Sequence, residues 1–138
     1  MPTEVYFFNK IEQVRSQSEI DYVQLNSNTP YNGESDLQQT SLFEESSGFK
    51  AGKFYGTRFL QSDSEDKTVN SQILATLSLK NGILVFNTSR DFLSLKAGDI
   101  SYYTPTYQSG VYYKKNVEII REIVEGPISL RNRYTIIY

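Results

Sequence analysis

Two runs of alternating apolar and polar residues flank Asn81-Gly82. Ser71 to Leu79 places Ala75, Leu77 and Leu79 on one parity, and Ile83 to Thr88 places Leu84 and Phe86 on one parity. Period-two alternation of this kind marks a strand with one buried face, and Asn-Gly is the strongest two-residue hairpin signal, because a type I′ turn needs φ > 0 at both central positions. A turn centred on Asn81-Gly82 would set Lys80 opposite Ile83, Leu79 opposite Leu84, Leu77 opposite Phe86 and Ala75 opposite Thr88. The apolar face of one strand then meets that of the other.

Further strands follow from the same reading. Val5 to Asn9 is β-branched and aromatic, and Ile20 to Leu25 alternates with apolar residues on both parities. Phe49 to Gln61 is long and carries Gly52 and Gly56 on one face, as a strand that must coil requires. Ile100 to Tyr107 contains Pro105, which cannot donate to a ladder, so the strand ends there or lies at an edge. Gly110–Tyr113, Val117–Val124 and Asn132–Tyr138 complete the series, with Gly126-Pro127 marking the last turn. Residues 26–47 are rich in Ser, Asn, Gln and acids, and are expected as a polar loop or arm. Ser62 to Asn70 reads as an acidic turn. No long helical period appears. The pattern predicts an all-β chain: one antiparallel, roughly eight-stranded β-barrel domain over 1–138, closed or nearly closed to protect its edges. Phe7, Leu74 or Leu77, Phe86 and Ile119 are expected to fill it.

Composition narrows the chemistry. The 138 residues include neither cysteine nor histidine. Disulfides, thiolate nucleophiles, Ser-His-Asp triads and histidine-based metal sites are therefore excluded, and no catalytic residue, metal site or cofactor is assigned. Asp63-Ser64-Glu65-Asp66 starts like a calcium loop, but Thr68 stands where the glycine belongs and Leu74 where the closing glutamate belongs. Asn87-Thr88-Ser89 is a glycosylation sequon at a strand end. The net charge of −2 and the lone basic pair Lys114-Lys115 argue against nucleic acid. Neither a signal peptide nor a membrane span is read, which places the chain in the cytoplasm or another reducing compartment, a virion included.

The 11 tyrosines lie mostly on or beside strands, where an apolar body with a polar tip suits a barrel mouth or an interface. Arg121 shares its parity with Val117, Ile119 and Ile123, which either points it inward or marks a parity break at a bulge. A buried arginine demands a carboxylate or a bound anion. Tyr6, Asn9, Tyr55, Tyr102 and Arg121 are the candidate ligand-binding residues.

The order of motifs resembles the dirigent protein and allene oxide cyclase barrel superfamily. It runs from the aromatic strand Val5-Tyr6-Phe7-Phe8-Asn9 through the polar segment, the Gly52–Gly56 strand, the acidic turn and the Asn-Gly hairpin. Gly110-Val111-Tyr112-Tyr113 then leads into Val117-Glu118-Ile119-Ile120-Arg121. The resemblance implies an eight-stranded barrel with a hydrophobic cavity, commonly trimeric. Phe8-Asn9 stands where dirigent proteins carry a His-Asp pair, so the scaffold is expected to carry over without that chemistry. The sequence therefore favours a non-enzymatic structural or assembly protein, a homo-oligomer with a trimer favoured, of the kind found in viral particles. The alternative is a barrel that orients or stores an apolar or phenolic small molecule, with a cyclase or isomerase ranked third.

Overall fold

Alternation becomes a curled sheet. The computed structural model of the chain describes residues 2–8, 11–12, 34–62, 69–91, 96–125 and 129–138. Ten strands form among them: β1 (Thr3–Phe8), β2 (Ile11–Glu12), β3 (Glu34–Glu44), β4 (Lys50–Ser62), β5 (Val69–Leu79), β6 (Gly82–Asp91), β7 (Ile100–Tyr103), β8 (Tyr107–Gln108), β9 (Glu118–Glu125) and β10 (Ser129–Ile137), with a short 3-10 turn at Gly110–Tyr112. The strands run in the order β7-β9-β10-β1-β3-β4-β5-β6-β8, with β2 added to β10. Neighbours are antiparallel throughout. Strands of this length twist, and the sheet curls strongly into a half-barrel.

The two edges of the sheet are successive pieces of chain. β7 pairs with β9 at one edge, β8 pairs with β6 at the other, and Thr104-Pro105-Thr106 joins them. Pro105 has no N–H to give, so the ladder breaks there and the chain changes partner. Beyond it, Thr106 N donates to Val85 O at 2.7 Å and Ser109 N to Ile83 O at 3.0 Å. The split strand ties the edges together, and the rings of Phe86 on β6 and Tyr103 on β7 meet across the seam at 5.0 Å.

The inner face holds the core: Tyr6, Leu42, Phe54, Leu77, Leu84, Phe86, Ile119 and Ile136 are all buried. The expected fillers Leu77, Phe86 and Ile119 are among them, whereas Leu74 lies on the outer face, 46% exposed. The side chain of Phe7 lies outside the described residues.

Three expectations need correction. The β5–β6 hairpin pairs Leu79 with Gly82, Leu77 with Leu84, Ala75 with Phe86 and Ile73 with Thr88. The register is two residues from the expected one, and a shift of two keeps every side chain on its face. The connection is Lys80-Asn81, and neither residue takes a positive φ. Gly82 serves close packing instead: a Cβ there would stand 2.2 Å from Ser109 O, and one on Gly110 would stand 2.1 Å from Asn81 O. The two glycines let the 109–112 backbone lie directly on the hairpin, where Val111 N donates to Asn81 O at 2.9 Å.

The second correction concerns the polar segment 26–47. Residues 34–44 are β3, an interior strand between β1 and β4, and only its end and the turn that follows it are loop-like; residues 26–33 lie outside the described residues. Its pattern is weak because neighbours on both sides supply the ladder that its own propensity does not. Third, Gly110–Tyr113 forms a 3-10 turn, with Gly110 at φ 65°, rather than a strand. The roughly eight-stranded count agrees with the sheet, to which β2 and β8 are short two-residue additions. The expected strand at 20–25 and the Gly126-Pro127 turn lie outside the described residues.

Candidate functional site

One end of the curl is filled around a carboxylate. Glu4 on β1 points inward on the parity of Tyr6. Its Oε2 accepts from the Tyr112 hydroxyl at 2.5 Å, and its Oε1 accepts from the Tyr138 hydroxyl at 3.2 Å and from Asn81 Nδ2 at 3.3 Å. These donors come from the 3-10 turn, the end of β10 and the β5–β6 hairpin. Hydrogen bonds to a charged acceptor are roughly twice as strong as neutral ones, so one carboxylate fastens four parts of the chain. Burial, then the Glu4 charge, pushes the Tyr6 hydroxyl well above its ordinary value, and burial with the Glu4 hydrogen bond does the same at Tyr112. Gln108 Nε2 holds the turn from outside, donating to Tyr112 O at 2.5 Å and Lys115 O at 2.8 Å. Every donor here has a partner. This end is structural.

The inner face is different two rungs away. Among the described residues the buried polar or charged side chains are Thr88, Arg121 and Asn132, at 5%, 5% and 0% exposed. Arg121 and Asn132 lie on neighbouring strands, β9 and β10, and Arg121 Nε donates to Asn132 Oδ1 at 2.7 Å. Asn132 Nδ2 and Thr88 Oγ1 are buried without a hydrogen-bond partner. Leaving such a group unpaired costs about 1–3 kcal/mol.

The ladders bring the three together. Phe86 meets Tyr103 across the seam. β6 and β7 run in opposite directions, so one step along the same inner face sets Thr88 level with Ser101. The β7–β9 ladder pairs Ser101 with Arg121, and the β9–β10 ladder pairs Arg121 with Tyr134 and Ile123 with Asn132. Below them is an aromatic floor. Phe86 stands edge-on to Tyr134 at 6.1 Å, and Tyr134 stacks with Phe54 at 6.1 Å. Burial pushes the Tyr134 hydroxyl above its ordinary range, against a smaller lowering by Arg121. The tyrosine is thus a neutral surface at neutral pH. The arrangement offers hydrogen-bond donors and a cation above flat apolar rings.

The candidate residues from the sequence separate. Arg121 points inward, as one of its two parity readings has it, but its partner is the neutral Asn132; among the described residues no carboxylate forms an ion pair with it. Tyr6 is inward and engaged at the Glu4 end. Tyr55 and Tyr102, 41% and 65% exposed, lie on the outer face and take no part in the inner site. Strands β4 and β7 carry aromatic residues on both parities, so their facing could not be read. Asn9 lies outside the described residues. Asn132 and Thr88 were missed, although each is a polar residue on an otherwise apolar parity: Asn132 with Tyr134 and Ile136, and Thr88 with Leu84 and Phe86. Among the described residues no cluster of carboxylates could hold a metal ion, and no helix is long and apolar enough to cross a membrane.

Fold and site together define a curled antiparallel barrel with a polar group of side chains on its inner face. No family model matches the sequence, and no curated protein matches it. Among solved structures the chain is similar to AbnU, described as an exo-specific intermolecular Diels-Alderase, with a TM-score of 0.62 and 17% identity, covering 98% of this chain and 96% of that one. At this identity the likeness establishes the fold. It also corrects the expectation of a non-enzymatic structural or assembly protein: a solved structure that shares the fold along nearly its whole length is that of an enzyme.

Proposed function

We propose that the chain is a small-molecule barrel that binds an apolar, conjugated organic compound on its inner face, orients it and promotes its cyclisation. The observation that carries this reading is the pair of buried, unpartnered donors, Thr88 Oγ1 and Asn132 Nδ2, beside Arg121. A purely structural lumen gains nothing from them, whereas a bound carbonyl or carboxyl oxygen would satisfy both. The motif-order resemblance to the dirigent and allene oxide cyclase barrels supports the same class, as does the fold shared with a Diels-Alderase.

The missing histidine and cysteine do not oppose catalysis of this type. A cycloaddition moves no proton and needs no nucleophile. It is accelerated by holding the diene and its partner in a reactive geometry, and by donors that draw electron density from a conjugated carbonyl. In this chain Phe86, Tyr103 and Tyr134 would present the apolar surface, and Thr88, Asn132 and Arg121 would polarise the oxygen.

Methyl cis-parinarate, a neutral conjugated ester that fluoresces on leaving water, tests the binding step. We expect saturable binding by the wild-type protein, and at least tenfold weaker binding by Ile123→Trp, which fills the inner face beside Asn132, with folding confirmed by thermal melting. Absence of binding to the wild type, or binding indifferent to both Ile123→Trp and Thr88→Val, would contradict the reading.

A further inference from the structure

The two arginines of the β9–β10 ladder have opposite surroundings. Arg133 faces outward and meets two carboxylates, Glu45 at 2.9 Å and Glu122 at 3.7 Å. Arg121 faces inward, is 5% exposed, and has only an amide oxygen at 2.7 Å to receive one of its N–H groups. An amide can order a guanidinium, but it cannot neutralise it, and an uncompensated buried charge costs several kcal/mol. The polar groups that the ladders place with Arg121 on the inner face are all neutral: the Asn132 amide, the Thr88 and Ser101 hydroxyls and the Tyr134 hydroxyl. The register of the sheet gathers donors and one positive charge at a single place, with Ile119 and Ile123 flanking Arg121 along its strand. Among the described residues no carboxylate pairs with Arg121 there.

We infer that Arg121, with Asn132 and Thr88, forms an anion subsite that takes the carboxylate of an otherwise apolar, conjugated ligand. This rests on the lumen-binding reading above and adds the charge of the ligand to it. The planar guanidinium presents paired N–H groups that match the two oxygens of a carboxylate, while Asn132 Nδ2 and the Thr88 hydroxyl supply further donors. One cation surrounded by apolar side chains balances one negative charge, which favours a carboxylate over a phosphate dianion. The subsite works by position and charge; no bond is made or broken at it.

The test compares cis-parinaric acid with its methyl ester, which differ at the carboxyl alone. In the wild type the acid should bind at least tenfold tighter than the ester, the magnitude expected of a charge-assisted pair. In Arg121→Met the preference for the acid over the ester should be lost. Equal affinities in the wild type, or a preference for the acid that survives Arg121→Met, would overturn the anion subsite while leaving the lumen reading intact. If neither compound binds, the lumen reading falls and the subsite with it. A competition on the wild-type protein keeps the inference testable should Arg121→Met not fold. Benzoate should displace the acid at concentrations where benzamide does not, and equal displacement by the two would overturn it.

Discussion

Thr88 separates stability from function most cleanly. Its hydroxyl is buried and unpartnered, and valine has the same shape without the polar atom. Thr88→Val should therefore raise the free energy of unfolding by about 1 kcal/mol in urea titrations while weakening ligand binding. A loss of stability would instead mean that the hydroxyl has a structural partner. The tyrosines at the Glu4 end and on the inner floor set a second expectation. Tyr6, Tyr112 and Tyr134 all have hydroxyls held above the ordinary value near 10. In the unfolded chain they would ionise near pH 10, whereas in the folded protein they remain protonated to higher pH. Their contribution is complete below about pH 10 and is lost as pH rises from there, at roughly 1.4 kcal/mol per tyrosine per pH unit. Urea titrations at pH 8 and pH 11 should show a large drop in the free energy of unfolding at the higher pH. Equal stability at the two pH values would contradict the assignment. Of the residues in the site, Arg121 was legible because its parity agrees with Ile119 and Ile123. Thr88 and Asn132 carried the same signal in weaker form, since a polar residue on an apolar face reads as a strand end until the partner strand is known.

Elements explain why the hairpin could be half read. The alternation of β5 and β6 fixes which residues face inward, and Ala75, Leu77, Leu84 and Phe86 are all buried as the pattern requires. Alternation repeats every two residues, however, so it cannot distinguish registers that differ by two. What decides between them is a contact far along the chain. Gly82 is needed where Ser109 O approaches, which leaves Lys80-Asn81 to make the connection. Gly82→Ala should accordingly cost about 2 kcal/mol or more, because the obstacle is backbone rather than a movable side chain. Denaturant unfolding checks this, and a cost within 0.5 kcal/mol of wild type (the range typical of surface changes) would count against the packing described. β3 was illegible for a related reason. Its sequence, Glu34 to Glu44, is polar and poor in β-branched residues, and it is a strand because β1 and β4 pair with it on either side. Pro105 was informative in the opposite way. A residue that cannot pair predicted a break, and the break is where the chain passes from β9 to β6.

At the scale of the whole molecule, the curled sheet divides its inner face into a satisfied end and an unsatisfied region. At the first, Glu4 gathers Tyr112, Tyr138 and Asn81, and Glu4→Gln should loosen it. The expected loss is about 2 kcal/mol of stability with ligand affinity unchanged within a factor of about two, read from urea titration and parinarate binding on the same preparation. A selective loss of affinity would mean that this end also holds ligand. At the second, Thr88 and Asn132 keep unpartnered polar atoms and Arg121 is paired with a neutral amide. Fold class was open to a reading of the chain, because alternation, turns and the lack of helical period act locally. The proposed site was not, because it draws on residues of three strands, β6, β9 and β10. The central claim is that a ligand sits on this inner face, and methyl-resolved NMR tests it most directly. With 13C-labelled isoleucine and threonine methyls, titration with cis-parinaric acid should shift Ile123, Ile119 and Thr88 and leave the exposed Ile83 and Ile100 in place. Shifts confined to Ile83 and Ile100, or none at saturating ligand, would contradict it.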